Sequence, residues 1–257
     1  MKSLTTLKTV QISKWFGGLQ ALNNINIVVD CNEIVGIIGP NGSGKTTLFN
    51  VITGVYHKND GQIFINNIEI SEMSPHKITS LGIARTFQNI RLFPRMTVMD
   101  NILVGMHLVN NYEKMPRNIR DLFQERKEHE NTEFAIELMK SLDLYNYRYQ
   151  FPSSMPYGLQ KKLEIARALA TNPRILLLDE PAAGMNDHEK KELMDIVKNL
   201  KNKGYTVLLI EHDMRFVMGI CDRLYAMDHG ILIDEGTPEK IKHSPVVIDA
   251  YLGVSED

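Results

Sequence analysis

The 257-residue chain is poor in cysteine: Cys31 and Cys221 stand far apart, with no C-x-x-C spacing. That argues against a disulfide framework or a cysteine metal site and leaves two reduced, partly buried thiols as the expectation. Neither sign of charge is in excess. A formal net charge of −2 gives no general electrostatic reason to bind DNA, RNA or an anionic bilayer. No apolar run approaches the ~20 residues that span a bilayer, and Met1-Lys2-Ser3-Leu4-Thr5-Thr6 leads into no signal-peptide apolar core, so a cytosolic chain is expected. Internal repeats and low-complexity linkers are lacking too, which points to a single unit. What is present is ordinary for a soluble globular protein: 43% hydrophobic and 23% charged residues, in a chain long enough to bury a sizeable core as one large or two small domains.

Against this plain background stands Gly39-Pro40-Asn41-Gly42-Ser43-Gly44-Lys45-Thr46, which fits G-x-x-x-x-G-K-[ST]. In such a loop the backbone N–H groups cradle phosphate oxygens, the lysine reaches the β/γ-phosphates and the hydroxyl residue holds Mg²⁺. The flanks agree. Ile34 to Ile38 is a β-branched run that suits a buried strand, and Thr46 to Ile52 has a helical pattern. The unpaired N–H groups and positive dipole end of that helix point at an anion. A glycine-rich turn with no ligand is the weaker reading.

Taken in order, Leu7–Ile12 and Ile25–Val29 are expected strands separated by a turn at Gly17-Gly18. Phe16 could stack on a nucleotide base, although covering a core edge is the commoner use of such a ring. Residues 61–65 and 68–70 flank Asn66-Asn67, which suits a tight hairpin. A strand over Gly82–Phe87 delivers Gln88. From about Met96 to Tyr149 helical periodicity takes over, with a charged stretch from Glu113 to Glu130 that reads as a solvated face or loop. Tyr145, Tyr147 and Tyr149 are expected to pack at the edge of this helical region more than to stack on nucleic acid. A helix follows from Leu159 to Thr171.

Arg174 to Glu180 is a buried-strand pattern ending in two carboxylates, which need a metal or a cation as partner. Beside a phosphate loop, Asp179 becomes the Mg²⁺-side carboxylate, and Glu180 could polarise an attacking water or cap the next turn. A helix over Glu189–Leu200 and a strand over Tyr205–Ile210 lead to Glu211-His212-Asp213. With no second ligand at suitable spacing, His212 suits a phosphate contact and not a metal. A closing hairpin turns at His229-Gly230, and short helices follow.

Phe16, the phosphate loop, Gln88, the helix after Tyr157-Gly158, Leu178-Asp179-Glu180-Pro181 and His212 together resemble the ATP-binding subunit of ABC transporters over nearly the whole chain. The resemblance implies an α/β P-loop cassette with an antiparallel β subdomain and an inserted helical subdomain. On that basis residues 1–95 and 160–257 form the ATP-binding core and about 96–159 the insertion. It implies that Phe16 stacks on adenine, so that Phe16 and Gly39, Pro40, Asn41, Gly42, Ser43, Gly44, Lys45, Thr46 and Thr47 bind ATP. Thr46, Gln88 and Asp179 would attend Mg²⁺, while Lys45, Gln88, Glu180 as general base and His212 at the γ-phosphate would carry the chemistry. Implied partners are transmembrane permease subunits, a related ATP-binding subunit and, indirectly, an extracytoplasmic solute-binding protein, with no nucleic acid. The expected location is the cytoplasmic face of the membrane, with docking near Gln88 through Arg91, Leu92 and Phe93.

Finer detail is similar to the branched-chain amino acid importer branch: Met155-Pro156-Tyr157-Gly158, the run from Leu163 to Pro173, Glu180 to Asn186, and Glu235-Gly236-Thr237-Pro238. In such importers the solute touches other subunits, so residue chemistry here does not select it. One departure stands out. Where the family carries L-S-G-G-Q, this chain has Met155-Pro156-Tyr157-Gly158-Leu159, without the serine hydroxyl and with a ring where a glycine would let backbone approach. A soluble ABC-type switch acting on nucleic acid or ribosomes is the alternative. A small-molecule kinase would leave Gln88 and His212 without a role.

Overall fold

The structure, a computed structural model, describes residues 5–106 and 117–252. Its contacts divide the chain into two compact units, Met1–Arg85 with Arg174–Asp257, and Thr86–Pro173. In chain order, the first unit begins with β1 (Thr5–Phe16), β2 (Leu19–Ile25), β3 (Val28–Asp30), β4 (Ile34–Ile38), α1 (Lys45–Ile52), β5 (Asp60–Ile65), β6 (Ile68–Glu69), α2 (Pro75–Ser80) and β7 (Ile83–Arg85). The second unit contributes α3 (Val98–Met106), α4 (Arg117–Ser141) and α5 (Tyr157–Leu169). The chain then completes the first unit with β8 (Ile175–Asp179), α6 (Asp187–Asn202), β9 (Thr206–Ile210), α7 (Met214–Ile220), β10 (Arg223–Asp228), β11 (Ile231–Gly236), α8 (Pro238–Lys242) and α9 (Pro245–Leu252).

Two sheets build the first unit. One is antiparallel, ordered β2-β1-β5-β6 with β3 also on β1; the other runs β11-β10-β4-β9-β8-β7. In the second sheet β10, β4, β9, β8 and β7 pair in parallel and only β11 is antiparallel. Every residue of β4, β8 and β9 is buried, as continuous apolar runs of central parallel strands require. The core joins both sheets through residues such as Leu7, Ile25, Ile37, Phe49, Ile65, Leu177 and Tyr225. The strand expected over Ile25–Val29 is broken. The Thr9 hydroxyl accepts the Ile27 N–H at 2.9 Å and donates to the Ile25 carbonyl at 3.1 Å, so a side chain takes the place of a ladder partner and β2 ends there. The Asn66-Asn67 hairpin is as expected, with both residues at positive φ, 47° and 66°.

In the second unit the charged stretch is helical from Arg117 onward, so the loop reading gives way to α4; residues 113–116 lie outside the described residues. Glu, Lys and Arg are good helix formers. The Arg148 guanidinium lies 4.4 Å from the Tyr145 ring and 4.6 Å from that of Tyr149. Within this unit, Thr86–Pro173, α5 side chains hold the backbone that precedes α3. Lys161 donates to the carbonyls of Phe87 (3.3 Å) and Gln88 (2.8 Å), and Glu164 Oε1 accepts the N–H groups of Phe87 (3.3 Å) and Arg91 (3.4 Å).

Candidate active site

The loop Gly39–Gly44 carries the chain from β4 into α1. Glycine at position 39 is a steric requirement: a Cβ there would sit 2.1 Å from the Met227 carbonyl oxygen. Gly44 stands before α1 at φ 100°, and no side chain caps that helix, so its first N–H groups stay available to an anion. The turn between β10 and β11 braces the loop, with Gly230 N–H donating to the Ser43 carbonyl at 3.1 Å. The Lys45 ammonium folds back onto the Gly39 and Pro40 carbonyls, both at 2.8 Å, and the Ser43 hydroxyl at 3.3 Å. Burial pulls the Lys45 ammonium below its ordinary range, and the nearby Glu180 and Asp179 carboxylates oppose that. Thr46 is exposed and Thr47 half-buried at the start of α1.

β8 delivers both carboxylates to this place. Asp179, at its last position, is only 2% exposed and pairs with Arg85 of β7: Nη2 donates to Oδ2 at 2.7 Å. Arg85 was missed by the sequence reading. Its Nη1 also donates to Asn50 Oδ1 at 2.7 Å and Thr53 Oγ1 at 3.1 Å, and its guanidinium lies 5.5 Å from the Phe49 ring. One arginine thus ties the strand that carries Asp179 to the helix that follows the phosphate loop.

Glu180 adopts φ 46°, an uncommon conformation for a non-glycine residue and one that recurs where a side chain must be aimed. Its backbone N–H donates to the Ile210 carbonyl at 2.9 Å, which sets it at the mouth of β8 beside the end of β9. His212 Nδ1 stands 4.0 Å from Glu180 Oε2 and 3.9 Å from Glu211 Oε2. Glu211 is fully buried and accepts three amides, from Ala182 at 2.7 Å, His212 at 3.1 Å and Asp213 at 3.5 Å. Burial pushes its carboxyl up, and those amide bonds work against the shift. This pillar under His212 was also missed, since a lone glutamate after a strand carries no motif.

The first unit therefore brings together Lys45, Asp179, Glu180 and His212. Phe16 closes β1 with its ring exposed, edge-on to Tyr56 at 5.3 Å and with the Lys14 ammonium 5.0 Å away. Gln88 belongs to the second unit, exposed, with its backbone held by Lys161. In that unit α5 starts at Tyr157 with Pro156 before it and no side-chain cap. Arg91 and Phe93 are exposed and Leu92 half-buried.

The donor set fits Mg²⁺, the cation that a nucleotide would bring. Among the described residues no group of three or more His, Cys, Asp or Glu could hold a metal, whereas Thr46 and Asp179 supply hard oxygen donors near Lys45. Few protein ligands, with phosphate and water completing the sphere, is how Mg²⁺ is bound.

A phosphate loop on a central parallel sheet, with a histidine after the adjacent strand and paired carboxylates at the end of the strand beyond it, defines a nucleoside triphosphatase of the P-loop class. Comparison with known proteins makes this specific. The family described as ABC transporter matches residues 22–183, and that described as branched-chain amino acid ATP-binding cassette transporter matches residues 235–257. The high-affinity branched-chain amino acid transport ATP-binding protein BraF of Pseudomonas aeruginosa is 43% identical over 93% of this chain and 94% of its own length. LivG of Escherichia coli, which bears the same description, has the same identity and coverage. A crystal structure of the ADP conformation of an ATP-binding cassette of an ABC transporter superposes with TM-score 0.86 at 34% identity, over 98% of this chain and 100% of that one. The chain belongs to the ATP-binding cassette family of ABC transporters.

Proposed function

We propose that the chain is the ATP-hydrolysing subunit of an importer for branched-chain amino acids. The observation that carries the reading is the convergence of Lys45, Asp179, Glu180 and His212 on one loop mouth, in a chain whose C-terminal residues match the branched-chain family. The loop amides and Lys45 hold the phosphates; Glu180 takes up the proton of a water aligned with the γ-phosphate; His212 contacts that phosphate from the neighbouring strand. Thr46 and Asp179 would hold Mg²⁺, which supplies charge neutralisation on the phosphate oxygens, and Gln88 would attend it. Phe16, with Tyr56 beside it, offers a face for adenine. The alternative of a soluble switch on nucleic acid or ribosomes is not favoured by relatives that carry transport names over 93% of the chain.

Among the described residues no helix is long and apolar enough to cross a membrane, so transport needs permease subunits, and we place the chain peripherally at the cytoplasmic face. Docking would use Arg91, Leu92 and Phe93 beside Gln88. The uncapped start of α5 at Pro156 supports pairing with a related subunit that bears the L-S-G-G-Q serine, and this chain would supply the competent Lys45, Asp179 and Glu180 half. Co-purification with a pair of membrane proteins, and ATP-dependent uptake of labelled leucine restored by the parent chain and not by Lys45→Ala, are the expected results. Co-purification with ribosomes, or uptake indifferent to the Lys45 change, would overturn the reading. Light scattering of Glu180→Gln protein with ATP tests the pairing: a tight dimer of this chain alone would remove the asymmetry.

A further inference from the structure

Among the described residues, α9 reaches the phosphate loop from far along the chain. The Gly39 N–H lies one residue past the last register pair of β4, Ala226 with Ile38, so the sheet ladder ends before it. The Tyr251 hydroxyl of α9 accepts that N–H at 2.8 Å, across 212 positions of sequence. Although the ring is 38% exposed, burial of its hydroxyl end pushes the phenol up, so the group remains a neutral hydroxyl at physiological pH. α9 is seated by buried Val247 and packs on β11, whose turn to β10 also braces Ser43.

Gly39 is thereby held at both ends: its N–H by Tyr251 and its carbonyl by Lys45. The two restraints differ in kind. Lys45 must exchange its bonds to Gly39, Pro40 and Ser43 for phosphate oxygens when nucleotide arrives, whereas the Tyr251 bond to the Gly39 N–H is not among those exchanged. A loop that keeps one anchor through that exchange needs less ordering on binding, which is the physical meaning of preorganisation. We propose that Tyr251 is a positioning residue for nucleotide: its hydroxyl fixes Gly39 and so keeps the phosphate loop in its anion-binding form. The proposal rests on the reading of that loop as the ATP site.

Tyr251→Phe removes one acceptor and keeps the ring. Calorimetry and steady-state kinetics on the whole chain should show the Kd for ATP and the KM rising about three- to ten-fold, the worth of one hydrogen bond, with kcat at saturating ATP within about two-fold of the parent. Amide exchange at Gly39 in the nucleotide-free protein should quicken by roughly the same factor. Lys45→Ala run alongside separates the two claims. If Lys45→Ala abolishes ATP affinity and Tyr251→Phe leaves Kd unchanged, lowering only the melting temperature, Tyr251 is a structural tether and the proposal falls. If neither change alters affinity, the loop reading itself falls.

Discussion

Replacing Arg85 by methionine tests whether Asp179 depends on a cation inside the protein. The pair is nearly dry, with side chains 7% and 2% exposed and Nη2–Oδ2 at 2.7 Å. The change also removes the Nη1 bonds to Asn50 and Thr53. Breaking a buried pair from one side costs about 3–5 kcal/mol, since the Lys45 ammonium near Asp179 is not a hydrogen-bonded replacement for the guanidinium. At a few degrees per kcal/mol for a chain of this size, that is a fall of roughly 6–20 °C in melting temperature. Urea unfolding followed by circular dichroism gives the free energy directly. The double variant Arg85→Met with Asp179→Asn should recover about half of the loss or more, because no carboxylate then lacks its guanidinium. A single variant within about 1 kcal/mol of the parent would refute the reasoning, and so would a double variant no better than the single one.

Three further outcomes follow from the same geometry. His212→Ala should lose turnover with the fold intact, since its imidazole is exposed and approaches Glu180 and Glu211 without filling the core; a lowered melting temperature at full turnover would contradict this. Glu211→Gln puts an NH₂ group against N–H donors from Ala182 or from His212 and Asp213, so it should cost about 1–3 kcal/mol in urea unfolding. Lys190, donating to Asp213 at 2.6 Å, holds the Asp213 carboxyl below its usual range; a depressed folded pKa adds stability above the unfolded value, and that stability is lost as pH falls through the folded one. Acid unfolding of Asp213→Asn should therefore be shallower than that of the parent below about pH 4, and an unchanged slope would contradict the assignment.

Much of the site was legible because its chemistry has fixed spacing. The phosphate loop needs glycines and a lysine at set positions, the run from Ile175 to Asp179 is apolar to its last residue, and Asn66-Asn67 supplies two left-handed residues where a hairpin must turn. What stayed hidden depends on strand pairing and on backbone partners. Arg85 meets Asp179 only because β7 lies beside β8 in parallel register. Lys161 and Glu164, three apart on a helix, are both buried because they serve the backbone between Phe87 and Arg91, a role no local pattern announces. Tyr251 carries no motif, and its partner is a backbone N–H. Asn186 and Glu189 form a capping box that starts α6 at Asp187, two residues before the expected Glu189. The short helices α2 and α7 were not expected at all; at 6 and 7 residues they are too brief to show a period.

The central claim is that this loop mouth hydrolyses ATP with Glu180 as its base, and Glu180→Gln isolates that step. Nucleotide affinity by calorimetry should stay near that of the parent, because Lys45 and the loop amides are untouched, while phosphate release falls by at least ~10². A variant that binds ATP and hydrolyses it at the parent rate would contradict the account.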